Sequence, residues 1–212
     1  MNQIRVTQVL DYFKEPWYTD WVVKVGRREA NRISKQALKT GALVDTIIKA
    51  SPKEENQHLP EYKKISHEAS QCLKAYWKWV EVYKPESITP CERLNTTIEG
   101  VEVTGEPDIM VDDIIVDIKC SNRIDIRHWI QVNMYKYLWK VEPVFKDKRE
   151  LGKVGILRLD KVSGSYEYQV KDFDSSLVDV WVGLLRAFMV FNREVLSGGS
   201  DVQEVGKIEE VA

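Results

Sequence analysis

Residues 105 to 119 read Gly105-Glu-Pro-Asp-Ile-Met-Val-Asp-Asp-Ile-Ile-Val-Asp-Ile-Lys119, and this stretch decides how the rest of the chain is understood. Alternating apolar residues flank Asp112-Asp113, whose composition suits a two-residue hairpin turn. Pairing across that turn sets Asp108 opposite Asp117 and Glu106 opposite Lys119. Successive side chains on a strand point to opposite faces. The four polar residues therefore share one face, while Pro107, Ile109, Val111, Ile114, Val116 and Ile118 share the other. One face is expected to be core and the other charged.

Like charges directly opposite each other destabilise a strand pair, their Cβ atoms being only about 4.5–5.5 Å apart. A divalent cation relieves the repulsion, since Mg²⁺ is commonly held by one or two carboxylates together with waters and phosphate oxygens. A solvated charged face with a Glu106–Lys119 ion pair, worth about 0–1 kcal/mol, is the competing reading. The hairpin alone leaves both open. If repulsion dominates, Asp108→Asn and Asp117→Asn should each raise thermal stability in metal-free buffer.

The chain has 212 residues, of which 43% are hydrophobic, enough for one domain with its own core. That domain is expected over residues 1–197, with a helical part to residue 84 and the core sheet and its helices from 85, followed by a disordered acidic tail over 198–212. A net charge of −2 means that any nucleic-acid contact must come from a local patch. No basic segment leads into an apolar run at the start, and the late apolar segment is interrupted by Asp179 and Arg186. Secretion and membrane spanning are not expected, and the expected location is the cytoplasm, or the host cytoplasm for a viral chain. The cysteines at 72, 91 and 120 are odd in number and far apart, as suits free thiols in a reducing compartment.

Helical spacing dominates up to about residue 83, and period two takes over after Pro85. Strands are expected over 88–97, 101–110 and 114–120, with turns at Glu99-Gly100 and Asp112-Asp113. A helix over about 125–141, strands over 154–159 and 166–170, and a last apolar helix that includes Leu177 and Trp181 complete the order. The fold class is α/β or α+β. In the helix after Lys119, Arg127, Gln131 and Tyr135 lie one turn apart on one face, with Ile130, Met134 and Leu138 on the complementary side. A stripe of Arg, Gln and Tyr following a carboxylate pair suits a phosphate or a base. An ordinary solvated helix face is the alternative.

These residues carry a resemblance. Gly105-Glu-Pro-Asp108, Asp117-Ile-Lys119 and Gln131-Val-Asn-Met-Tyr135 resemble the motifs of the PD-(D/E)XK nuclease superfamily and its RecB-like branch. Upstream, Val6-Thr-Gln-Val-Leu-Asp-Tyr12 with Pro16-Trp-Tyr18, and Thr40-Gly-Ala-Leu-Val-Asp45, resemble the early helices of CRISPR-associated RecB-like nucleases. The resemblance covers roughly residues 6 to 140. It implies a restriction-endonuclease-like core, a central mixed sheet flanked by helices, and hydrolysis of DNA phosphodiester bonds with Mg²⁺ or Mn²⁺. Asp108 and Asp117 would be metal ligands, joined by the carbonyl of Ile118, with Lys119 orienting or activating water and Gln131 and Tyr135 lining the site. The helical histidine of the family corresponds to Asp45, an oxygen ligand that hard cations accept. Glu106 would be a helper base or, preferably, the partner of Lys119.

One departure is informative. Many CRISPR-associated relatives bind an iron-sulfur cluster through four cysteines, whereas Glu15 stands near the first position and no cysteine follows Cys120. No such cluster is expected, and Trp17, Trp21, Trp77 and Trp79 would pack the helices instead. Stacking of these rings on exposed bases is the alternative. For the DNA partner, Lys24, Arg28, Arg32, Lys35 and Lys39 form a basic stripe, and Arg123, Arg127 and His128 lie near the proposed site. The competing functions are a non-catalytic DNA-binding protein on the same fold and a junction-resolving endonuclease, for which a homodimer is expected.

Overall fold

The computed structural model describes residues 3–13, 16–55, 57–142 and 152–192; Glu15 and the tail from residue 198 lie outside the described residues. A two-residue strand β1 (Ile4–Arg5) leads into helices α1 (Val6–Tyr12), α2 (Pro16–Val25), α3 (Arg27–Ala50) and α4 (His67–Tyr83), with a short 3-10 turn at Pro60–Lys64 before α4. Strands β2 (Ile88–Pro90), β3 (Leu94–Ile98), β4 (Val101–Gly105), β5 (Ile109–Val111) and β6 (Ile114–Lys119) follow. Helix α5 (Ile126–Val141), strands β7 (Lys153–Leu159) and β8 (Tyr166–Asp172) and helix α6 (Ser175–Phe191) close the order. This is the expected α+β arrangement.

The decisive hairpin forms in the expected register, with Ile109 opposite Val116 and Val111 opposite Ile114. Asp112 and Asp113 take φ values of 49° and 72°, the left-handed pair that a two-residue turn between twisted strands requires. Glu99 and Gly100, at 50° and 76°, turn β3 into β4 in the same way.

The long strands expected over 88–97 and 101–110 are each broken. Leu94 pairs with Gly105 and Pro90 with Ile109, so the register runs unchanged through the break, and the Cys91 N–H still donates to the Asp108 carbonyl at 3.2 Å. Pro107 has no N–H to give a ladder, and the ribbon bends where it stands. Its two halves enter different sheets, ordered β1-β4-β3 and β2-β5-β6-β7-β8. Both are mixed, because β1 runs parallel to β4 and β6 parallel to β7.

The expectation of one core face and one charged face is corrected. On one side of the larger sheet Ile109, Val111 and Val116 pack with Ile47, Leu73 and Trp79 from α3 and α4. On the other, Ile115 and Ile156 pack with Met134 and Leu138 of α5 and Trp181 of α6. Asp117 is thus enclosed in a mainly apolar layer at 1% exposure. Helix α5 is correspondingly buried nearly all round, which removes the alternative of an ordinary solvated face, and Ile126 in its first turn is exposed. Helix α6 buries Val178, Trp181, Leu185 and Phe188 and leaves Val180, Val190 and Phe191 exposed.

Candidate active site

The bend at Pro107 and the end of β6 bring the hairpin carboxylates together beneath α5. Asp108 Oδ2 accepts a 2.6 Å hydrogen bond from the N–H of Ile118, which ties the bend to the neighbouring strand. Asp117 Oδ2 lies 2.6 Å from Lys119 Nζ. Gln131, one turn into α5, joins the two: its Oε1 accepts from Lys119 Nζ at 3.1 Å, and its Nε2 donates to Asp117 Oδ1 at 3.1 Å and to the Tyr135 hydroxyl at 2.9 Å. The amide orientation follows from charge, since a flipped Gln131 would aim its NH₂ at the ammonium. Gly105 permits the approach of α5, because a Cβ there would sit 2.8 Å from the Tyr135 ring and from Leu138.

Burial governs the electrostatics. It raises the Asp108 carboxyl to about 8, with the Asp117 carboxylate adding to the effect. Burial alone would lower the Lys119 ammonium, but the Asp117 and Asp108 carboxylates outweigh it and hold the group above its ordinary value. The Tyr135 hydroxyl is held well above its usual range by burial and by the same two carboxylates.

Asp108, Asp117, Lys119, Gln131, Tyr135, Ile118 and Asp45 all line one cleft of about 740 Å³. Asp45 reaches it from α3, where Lys49 pairs with it at 3.1 Å. Burial raises the Asp45 carboxyl, and the Lys49 ammonium only partly offsets this. Among the described residues, no three His, Cys, Asp or Glu side chains form a metal-ligating cluster, so Asp45 does not close with Asp108 and Asp117 into a ready three-carboxylate set. Asp45 Oδ1 is nevertheless buried without a hydrogen-bond donor, and Asp117 Oδ2 is buried with the Lys119 ammonium 2.6 Å away. A buried oxygen without a donor points to a missing partner, and an all-oxygen donor set suits a hard divalent cation. The residues present therefore fit Mg²⁺ or Mn²⁺.

The Glu106–Lys119 pair is corrected. Beyond Gly105 the chain has left the strand, and Glu106 turns instead to Lys49 at 3.4 Å and Arg93 at 3.2 Å. Burial works against ionisation of Glu106, but these two cations prevail and hold its carboxyl below the usual range. The basic stripe is also divided: Lys24 belongs to α2, and Gly26, at φ 84°, separates it from Arg28, Arg32, Lys35 and Lys39 on α3. Arg32 is engaged with Glu29 at 2.6 Å. Arg127 pairs with Asp11 at 2.9 Å, Arg123 lies over the Trp17 ring at 5.2 Å, and His128 Nδ1 accepts from the Asp125 N–H at the start of α5. Trp79 is fully buried as expected for packing, whereas Trp17 is 46% exposed.

Several residues at the site escaped the sequence reading. Lys49 stands one turn after Asp45, a spacing that signals their pair. Arg93 carries no local signal, since only the bent ribbon brings it to Glu106. Tyr18 and Leu38 line the cleft, Leu38 at 73% exposure.

No protein-family model matches the chain, and no curated protein matches it in sequence. Among solved structures, the chain is similar to a candidate exonuclease from Eubacterium rectale at 14% identity and a TM-score of 0.50, covering 83% of this chain and 77% of that one. It is also similar to an alkaline exonuclease from Laribacter hongkongensis at 13% identity and a TM-score of 0.46, covering 92% and 90%. No helix among the described residues is long and apolar enough to cross a membrane. At 14% identity it is the α+β fold alone that is shared with the Eubacterium rectale protein.

Proposed function

We propose that the protein is a metal-dependent nuclease of the RecB-like PD-(D/E)XK kind that hydrolyses phosphodiester bonds of DNA. The observation that carries the reading is the convergence of Asp108, Asp117 and Lys119 at the floor of one cleft, where Gln131 bridges Asp117 and Lys119. Asp108, Asp117 and the carbonyl of Ile118 would hold Mg²⁺ or Mn²⁺, and Asp45 would join them on releasing Lys49. A divalent ion there supplies Lewis acidity toward a phosphoryl oxygen and lowers the pKa of a water molecule. Lys119 places a positive charge where negative charge develops on the phosphoryl oxygens. Gln131 fixes the ammonium and the carboxylate in one geometry, and Tyr135 takes up the remaining N–H of that amide. Arg123, Arg127 and the cations of α3 supply sequence-independent attraction for the phosphate backbone.

The test compares wild type with Lys119→Ala on single-stranded, duplex and branched DNA in Mg²⁺, Mn²⁺ or EDTA. Cleavage is expected only with a divalent ion, and to fall by about 100-fold or more in the variant. Undiminished cleavage by Lys119→Ala, or no cleavage of any of these substrates by the wild type, refutes the reading.

A further inference from the structure

The three cysteines are far apart in sequence, but the fold brings two of them together. Cys120 directly follows Lys119. The alternation that turns Asp117 and Lys119 toward α5 turns Ile118 and Cys120 to the other side of the sheet, into the layer packed by α3 and α4. Cys72 of α4 lies in the same layer at 0% exposure. A second contact fixes its place. Cys72 Sγ donates to the Leu159 carbonyl at 3.7 Å, and Leu159 and Cys120 each stand one residue beyond the register pair of Lys119 with Arg158. The Cys120 thiol donates in turn to the Cys72 sulfur. Both thiols are free.

The surroundings of the two sulfurs differ. Cys72 is sealed in hydrocarbon, whereas Cys120 is half-buried and lines the cleft of about 740 Å³, so a small solute in the cleft meets the pair at Cys120. A lone buried cysteine packs as a small hydrophobe. Two thiols in contact, one of them open to a cleft, meet the requirement for reversible oxidation. We propose that Cys72 and Cys120 form an oxidation site, which a peroxide entering the cleft closes to a disulfide and a small-molecule thiol reopens. One sulfur is oxidised by the peroxide to a sulfenic acid as one water leaves. The other sulfur then displaces the hydroxyl, its proton departing with it as a second water, so that one peroxide consumes two thiols. Two molecules of a small thiol return both cysteines to the reduced form and leave as their own disulfide. Transient bridges of this kind are the ones expected where thiols are otherwise kept reduced. Bringing sulfurs already in contact to the bond length of about 2.05 Å is a movement of side chains. The bridge fastens the end of β6 that carries Asp117 and Lys119 to α4, and it closes a long loop of chain. The oxidised protein therefore withstands more urea than the reduced one. None of this rests on the nuclease reading.

The experiment treats the folded full chain with hydrogen peroxide in EDTA, so that no metal-catalysed oxidation competes, and then blocks the remaining thiols by alkylation. Thiol titration, intact mass and peptide mapping read the outcome. Wild type is expected to fall from three thiols to one, to lose two hydrogens in mass, and to yield a peptide joining Cys72 to Cys120 while Cys91 is alkylated. Dithiothreitol should restore all three thiols. Cys91→Ser should form the same bridge, and Cys120→Ser and Cys72→Ser should form none. The urea midpoint should rise on oxidation in wild type and Cys91→Ser, and should not rise in Cys120→Ser. The wild-type peptide map decides the matter even if Cys72→Ser fails to fold. A bridge that includes Cys91 or joins two chains, oxygen added to Cys120 in place of a bridge, a bridge that forms only in urea, or one that fails to raise the urea midpoint overturns the proposal.

Discussion

Val116 and Asp117 are consecutive on β6 and almost equally buried, at 0% and 1% exposure, yet the two sides of the strand are held by opposite means. Val116 faces the hydrocarbon of α3 and α4, a layer that needs only volume and shape. Asp117 faces α5, where Lys119 and Gln131 satisfy it group by group. A buried charge that loses its partner keeps the full desolvation cost, so the second side is far less tolerant of small changes than the first. The difference makes the polar side suited to chemistry, because its groups are already fixed and dry before any substrate arrives.

The largest consequence falls on the ion pair. Asp117→Asn leaves the Lys119 ammonium buried beside a neutral amide and should destabilise the metal-free protein by about 3 kcal/mol, within the 3–5 kcal/mol typical of a broken buried pair. This reverses the expectation drawn from facing carboxylates, because Asp117 has a cation at 2.6 Å that the hairpin pattern alone did not reveal. Removing both charges in Asp117→Asn/Lys119→Met should recover a large part of the loss. Urea unfolding in EDTA reads both values; a double variant as unstable as the sum of its singles would mean that the two sides of β6 do not differ in this way.

Asp108 behaves otherwise, because among the described residues no cation pairs with its carboxyl, which accepts instead from the Ile118 N–H. Its folded carboxyl is raised to about 8 by burial and by Asp117, against about 4 when unfolded. The folded protein therefore binds this proton more tightly than the unfolded chain does. The resulting contribution to stability is full below pH about 4 and is lost as pH climbs toward about 8. Metal-free wild type should melt at progressively lower temperature across that window, a decline for which the span from about 4 to about 8 sets a ceiling of about 5 kcal/mol. Asp108→Asn should remove most of this slope and be the more stable protein at the alkaline end. Added Mn²⁺ should oppose the decline, since the ion competes with the proton. A slope that survives Asp108→Asn assigns it to other groups.

Much of the hairpin side of this contrast was legible in the sequence. Turn composition and period two sufficed to align Ile109 with Val116 and to bring Asp108 near Asp117, because those signals are local. What lay hidden depended on contacts between distant segments. The partner of Glu106 could not be read, since the break at Pro107 swings it toward Lys49 and Arg93. Nor could the burial of the charged side, because only the docking of α5 encloses it, and α5 can dock there because Gly105 has no Cβ. Trp17 and Leu38 look like packing residues by type, and no pattern within a single helix distinguishes an apolar residue that faces the core from one left exposed.

The smallest expected effect tests the side of the cleft opposite the ion pair. Gly41 lies in the interior of α3 and lines the cleft four residues before Asp45, yet a Cβ built on it meets no atom within 4 Å. A glycine inside a helix is costly because its unfolded state is unusually free. Gly41→Ala should therefore stabilise the protein by about 0.5–1 kcal/mol, a gain read directly in urea unfolding. A loss of stability would show that α3 packs closely there, and the open side of the cleft would be closed in the folded protein. A gain, by contrast, would mean that this helix carries a conformational cost at a cleft-lining position one turn before Asp45.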